Sequence, residues 1–226
     1  MGLKCNPFRV LTDAEWAAVA VVPSPVLDVI MRASTPVQII GEAGRGKTTT
    51  LLAVKTKFLR ENVPVVYQYL PQGTRHFDDR GAATAQVFLL DEAQRLTRGE
   101  RRRLCRLAAS GVRLIFSSHE DLTAVCAAHN LSLTTINLSQ PDNARLAHIL
   151  QTRLAYFSTE EQPAITISGD AIDFLLARFG DDLRSMERFL YEVFQWLARH
   201  TPAEKVLTAE LLRDISKNLP PVVRGT

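Results

Sequence analysis

Gly41-Glu42-Ala43-Gly44-Arg45-Gly46-Lys47-Thr48 satisfies the pattern G-x-x-x-x-G-K-[ST] without a departure. Gly41, Gly44 and Gly46 let the backbone bend tightly around an anion, and a side chain at Gly46 is expected to crowd it. The amides of Glu42, Ala43 and Arg45 then join a nest of inward N–H groups, with Thr49 continuing the cradle into the positive end of the next helix. In such a loop Lys47 reaches β- and γ-phosphates and the Thr48 hydroxyl ligates Mg²⁺. The motif needs a strand before it and a helix after it. Val37-Gln38-Ile39-Ile40 is short, β-branched and apolar, and residues 48–59 place Leu51, Leu52, Val54, Lys55 and Phe58 on one side of a helix.

The second decisive stretch is Val87-Phe88-Leu89-Leu90-Asp91-Glu92. Four apolar residues predict a buried parallel strand. Asp91 and Glu92 then fall at its carboxyl end, where open α/β sheets carry their sites. Asp91 there can hold the metal through water, and Glu92 is placed to polarise an attacking water.

Length and composition set outer bounds. A chain of 226 residues accommodates one medium α/β domain and a small appendage. Its 46% hydrophobic and 23% charged residues are those of a globular protein, and a net charge of +3 permits an acidic partner without demanding one. No apolar run is long enough to cross a bilayer, so no membrane insertion is expected, and the first residues lack the apolar core of a signal peptide. Cys5, Cys105 and Cys126 have no metal-ligand spacing and read as reduced thiols of a cytoplasmic protein, the latter two buried.

Along the chain, Ser24-Pro25 predicts a helix start with Ser24 as N-cap. Residues 63–69 predict a strand. Residues 71–85 are polar and read as an exposed loop, either functional or a surface excursion. Thr97-Arg98-Gly99-Glu100 reads as a capping box opening a helix with Leu104, Cys105, Leu107 and Ala108 on one side. Arg102, Arg103 and Arg106 fan out on the other side. Strands are expected at 112–116 and 133–138, with a helix over 121–129 between them. Beyond Asp142 the pattern turns helical, at 142–157, 170–179, 182–199 and 208–217, apart from an extended piece at 165–167. Residues 1–140 and 141–226 are therefore read as two domains.

A complete P-loop, an Asp-Glu strand end, a polar residue closing the next strand and a helical C-terminal module resemble an AAA+ ATPase. That resemblance implies an α/β core with a central parallel sheet flanked by helices, a small helical lid, and ATP with Mg²⁺ as cofactors. Gly180-Asp181-Asp182-Leu183-Arg184 looks like the sensor 2 motif, which makes Arg184 a lid residue reaching the γ-phosphate. Ser117 would be sensor 1. Asn6-Pro7-Phe8, Asp91-Glu92-Ala93-Gln94 and Ser118-His119-Glu120-Asp121-Leu122 resemble a bacterial subgroup of transposition-regulator and secretion-system ATPases. By that likeness residues 1–36 form an adenine-side segment of the first domain. Phe8 would pack on the base or serve as a hydrophobic anchor.

One departure stands out. AAA+ rings usually carry an arginine finger before the last strand, and residues 122–136 contain neither Arg nor Lys. Arg101, Arg102, Arg103, Arg106 and Arg113 are the substitutes within reach in sequence. Hydrolysis is then expected to be weak or partner-stimulated, since such an arginine accelerates transfer by several powers of ten. The functional expectation is an ATP-hydrolysing regulator forming a homo-oligomeric ring or filament. Its partners would be double-stranded DNA and a protein such as a transposase, with Arg75, Arg80, Arg102, Arg103 and Arg106 on DNA phosphates. The alternative is an ATPase serving a secretion apparatus or loading a ring, with those arginines forming a solvated face.

Overall fold

The computed structural model describes residues 2–219, except 79, 82, 83, 140, 162, 164, 181 and 201–204. Two compact units form, Val22–Ser139 and the pair of segments Met1–Val21 and Gln140–Thr226. The first helix, α1 (Asp13–Ala18), belongs to the second of these.

The continuous unit holds α2 (Ser24–Arg32), β1 (Val37–Ile40), α3 (Lys47–Arg60) and β2 (Val65–Tyr69). It continues with β3 (Val87–Asp91), α4 (Arg98–Ala109), β4 (Arg113–Ser118), α5 (Thr123–Ala127) and β5 (Thr134–Asn137). The sheet order is β2-β3-β4-β1-β5 and every pair is parallel. Alternation explains why β3 reads as one apolar run. Leu89 enters a cluster with Ile39, Val54 and Phe58, while Phe88 and Leu90 enter another with Leu104 and Phe116. Inside this core Gln38 is fully buried, and its amide nitrogen lies 2.7–2.8 Å from oxygens of Asp121, Thr123 and Thr135. That tie fixes β1, and the P-loop that leaves it, against β5 and the approach to α5.

Three local expectations change. Ser24 is the first helical residue and Pro23 the N-cap, with no side-chain cap bond, because Pro25 already supplies the preset first turn. The capping box at α4 is half formed: Thr97 accepts the Glu100 N–H, but the Glu100 carboxylate accepts instead from the Phe77 N–H at 3.2 Å and pairs with Arg103 at 3.0 Å. The polar loop after β2 is consequently anchored. Phe77 is 2% exposed, packs on Phe88 and lies under the Arg103 guanidinium at 4.6 Å. Its neighbours at 79, 82 and 83 lie outside the described residues.

The second unit contains α6 (Asn143–Phe157), β6 (Thr166–Ile167), α7 (Gly169–Phe179), α8 (Leu183–His200), β7 (Val206–Leu207) and α9 (Ala209–Lys217). The extended piece at 166–167 pairs in parallel with β7. Residues 1–36 had been expected to stand with the α/β core, whereas the segment up to Val21 packs with the helices. The cause is apolar and polar at once. Phe8 is 5% exposed in the helical core, 5.3 Å from the Phe194 ring, and Arg153 donates to the Pro7 and Arg9 carbonyls. The α1 helix carries a complete capping box between Thr12 and Glu15, which the sequence reading did not single out. Among the described residues, no helix is long and apolar enough to cross a membrane. The expected tail at Pro220-Pro221 lies outside the described residues.

Candidate nucleotide and magnesium site

The P-loop connects β1 to α3, and its shape depends on two left-handed glycines, Gly44 at φ +80° and Gly46 at φ +83°. At Gly46 the backbone angle itself is the constraint, since an added Cβ would meet no protein atom within 4 Å. At Gly41 the constraint is space: a Cβ would stand 3.1 Å from the Leu138 carbonyl. Glu42 and Ala43 are exposed, Arg45 and Thr49 half-buried. Lys47 is 4% exposed, and its ammonium donates to the Gly41 and Glu42 carbonyls at 2.7 and 2.9 Å.

Parallel pairing carries the ends of β3 and β4 to the same edge. Thr48 Oγ1 donates to Asp91 Oδ2 at 2.7 Å, and the Tyr67 hydroxyl donates to the same oxygen at 3.2 Å. Ser117 Oγ donates to Asp91 Oδ1 and accepts the Glu92 N–H at 2.9 Å. Lys47, Thr48, Asp91 and Glu92 therefore lie at one edge of the sheet. Ser117 joins them from beneath, completely buried, through Asp91 and the Glu92 amide.

Glu92 adopts a left-handed conformation, φ +69°, that a non-glycine residue enters only when held there. Its carboxylate accepts from Gln94 Nε2 at 2.8 Å and pairs with Arg95 at 2.9 Å. His119 Nε2 lies 3.7 Å from Glu92 Oε1 and 3.2 Å from Lys47 Nζ. Tyr67, Gln94, Arg95 and His119 were not assigned roles from sequence. Gln94 and His119 carried a signal, as members of the stretches Asp91-Glu92-Ala93-Gln94 and Ser118-His119-Glu120-Asp121-Leu122; Tyr67 and Arg95 carried none.

The finger candidates are mostly engaged elsewhere. Arg113 donates to the Ile30 and Met31 carbonyls at 2.7 and 2.6 Å and anchors the end of α2. Arg101 binds the Gln94 carbonyl at 2.6 Å and Glu120 at 2.9 Å. Arg103, expected on DNA, is held by Phe77 and Glu100. Arg80 is exposed but paired with Asp78 at 2.7 Å, and its guanidinium pulls that carboxyl down to about 2. Arg75, Arg102 and Arg106 are exposed, as is Arg98, and all four lack an ion pair among the described residues. In the helical unit Arg184 is exposed in the first turn of α8, and Asp181 of its motif lies outside the described residues. Phe8 takes the anchor alternative: one neighbour of its ring is Phe194 and another is the Arg153 guanidinium, 5.1 Å from its centroid.

No protein-family model and no curated protein matches the chain. Solved structures do. Domain III of the replication initiation protein DnaA from Thermotoga maritima superposes with a TM-score of 0.64 at 15% identity, over 92% of this chain and 98% of that one. Cdc6p from Pyrobaculum aerophilum gives 0.60 at 17%, over 96% and 73%. A replication initiator DnaA bound to AMPPCP and single-stranded DNA gives 0.51 at 18%, over 78% and 62%. With the strand order and the P-loop after β1, these likenesses make the fold that of the AAA+ P-loop NTPases.

Proposed function

We propose that this protein binds and hydrolyses ATP, and that it acts as a nucleotide-dependent, DNA-associated regulator of the transposition-regulator type, assembling as a ring or filament with a transposase or another machine component as protein partner. The observation that carries the ATPase reading is the convergence of Lys47, Thr48, Asp91 and Glu92 at one sheet edge. A hydroxyl and a carboxylate oxygen 2.7 Å apart are hard donors of the kind magnesium prefers. Thr48 and Asp91 would hold the ion, and Lys47 and the loop amides the β- and γ-phosphates. The bound ion would neutralise charge developing on the transferred phosphoryl group. Glu92 takes the proton of the attacking water, with its carboxylate oriented by Gln94. Arg184 is assigned to the γ-phosphate as a lid residue.

DNA association is supported by the exposed arginines at 75, 102 and 106 and by the DnaA likeness, whose structure contains single-stranded DNA. These side chains would contact phosphates rather than read bases. The test is a duplex-binding titration across salt, with and without a non-hydrolysable ATP analogue. Affinity is expected to rise with the analogue and to fall with salt at a log–log slope of about 0.9 per neutralised phosphate. Absence of binding in both states would leave the protein-machine alternative, a secretion-type ATPase or ring loader.

A further inference from the structure

Cys105 of α4 and Cys126 of α5 are 21 residues apart in the chain, and their Sγ atoms lie 3.2 Å from each other. Both are free thiols, 2% and 4% exposed. That approach is closer than the roughly 3.5–4.0 Å at which apolar carbons pack best, so the sulfurs meet as a polar pair, one S–H donating to the other sulfur. The pair is unequal. The contact with Cys126 lowers the Cys105 thiol, against the effect of burial, whereas the contact with Cys105 and burial both raise Cys126. Cys126 therefore keeps its proton and donates, and Cys105 is the sulfur with thiolate character.

The cover over this pair is thin. The α5 helix has five residues, of which Cys126 alone is buried, and Thr123, Ala124, Ala127 and Ala128 around it are exposed. So short a helix, with so little apolar surface of its own, opens locally at low cost and admits a small oxidant. The α4 side is fixed. Leu104 lies in one cluster with Phe88 and Phe116, and Arg101 binds the Gln94 carbonyl and Glu120. A sulfur–sulfur bond needs about 2.05 Å, so the remaining approach is only about 1 Å. Cys5, the third thiol, belongs to the other unit, beside Trp16 and Arg9, and serves as an internal control.

We propose that Cys105 and Cys126 form an oxidation site, which a hydroperoxide converts into a reversible disulfide that staples α5 to α4. The Cys105 sulfur attacks one peroxide oxygen. An S–O bond forms, the O–O bond breaks, and the distal oxygen takes up the Cys105 proton and leaves as water. The Cys126 sulfur then attacks the sulfur of the resulting sulfenic acid. The S–O bond breaks, and the hydroxyl leaves as water with the Cys126 proton. Two thiols thus lose two electrons to one peroxide, giving one disulfide and two waters. The ring so closed contains β4 and residues 119–122. His119 there lies 3.2 Å from Lys47 Nζ, and Asp121 and Leu122 hold Gln38, on the strand that leads into the P-loop. Oxidation restrains this frame behind the phosphate edge, and a thiol reductant releases it. None of these steps requires nucleotide or DNA.

The test treats the folded full chain with increasing hydrogen peroxide and reads intact mass, then alkylates the remaining thiols and maps peptides without reduction. The expected product is about 2 Da lighter, the two hydrogens lost, and returns to the starting mass with dithiothreitol. Its map should show residues 105 and 126 cross-linked and Cys5 alkylated. The oxidised chain should melt about 5 °C above the reduced one, as closing a loop of about 20 residues gives in a chain of this length. Amide exchange over residues 119–127 should slow. Cys126→Ser is expected to stop at a sulfenic acid on Cys105, trapped by dimedone, and Cys105→Ser to form no cross-link. Where a serine variant fails to fold, the measurements on the parent still decide. If peroxide leaves both thiols alkylatable, or carries Cys105 on to sulfinic acid, the site is wrong. It is equally wrong if the cross-link forms only in urea that unfolds the chain. A cross-link that leaves both melting and exchange unchanged would overturn the staple.

Discussion

At the level of single residues the site depends on a hydroxyl that no phosphate needs to touch. Ser117 donates to Asp91 and accepts the Glu92 N–H, so it holds the carboxylate expected near the metal and supports Glu92 at φ +69°. Ser117→Ala would strand a buried amide and one oxygen of Asp91. The expected cost is about 1–3 kcal/mol in urea unfolding of the nucleotide-free protein, together with slower hydrolysis. A residue that only orients the γ-phosphate would slow hydrolysis and leave that stability unchanged, so the two measurements separate the roles. Gly41, Lys47, Thr48 and Asp91 were legible in the sequence because their chemistry is set by local spacing and strand-end position. Arg95 and His119 were not. Their contacts with Glu92 and Lys47 depend on a tight turn and on the register of β4 beside β3 and β1, neither of which has a local signature.

At the level of elements, β1 to β4 could be read as short, mainly apolar runs closed by a polar or Pro-bearing segment, and β5, Thr134-Thr135-Ile136-Asn137, as the centre of the stretch 133–138 that ends before Pro141. The loop after β2 is exposed at most of its described residues, as read, but Phe77 was not legible as its anchor, because it stands among polar residues and only the partners Phe88, Glu100 and Arg103 reveal it. The N-terminal segment was assigned elsewhere for the same reason, because its attachment is entirely long-range. It is held by Arg153, 3% exposed, which pairs with Glu187, bonds the Pro7 and Arg9 carbonyls and faces the Phe8 and Trp16 rings at 5.1 Å each. Burial pulls the Arg153 guanidinium down; it also pushes the Glu187 carboxyl up, and Arg153 draws that carboxyl part of the way back. Arg153→Met is expected to cost about 3 kcal/mol, the lower end for breaking a buried pair, since Glu187 keeps 29% exposure. A carboxyl raised above its unfolded value holds its proton more tightly in the native state, so the stability it contributes falls as pH climbs through the raised value. Without Arg153 the rise is larger. The variant's deficit should therefore be greater at about pH 8 than at about pH 5, when measured by urea unfolding at each. An equal deficit at both would assign the loss to packing around Phe8 and Trp16 alone.

For the whole molecule, chain order and folding unit differ: the helical unit is assembled from residues before Val22 and after Ser139. Its long helices were legible from their apolar faces, and β6 was anticipated as the extended piece at 165–167, but its two-residue partner β7 was not, because it is defined only by the pairing. In the function proposed above, the state of the phosphate edge would have to reach that second unit, and Arg184 is the residue proposed for the task. It is exposed at the start of α8, where its position in the first turn does not by itself favour a cation, because the positive end of the helix lies there. A partner of opposite charge, such as a γ-phosphate, would compensate for that placement. Hydrogen exchange over residues 170–199 is thus expected to slow with a triphosphate analogue relative to ADP, and Arg184→Ala should shrink the difference while leaving exchange in the ADP state unchanged. The paired comparison matters because a diphosphate offers the same β-phosphate contacts and lacks only the group Arg184 is proposed to meet. Were parent and variant to show the same contrast between the two nucleotides, Arg184 would be an ordinary surface arginine, and the signal between the units would have to pass through other residues.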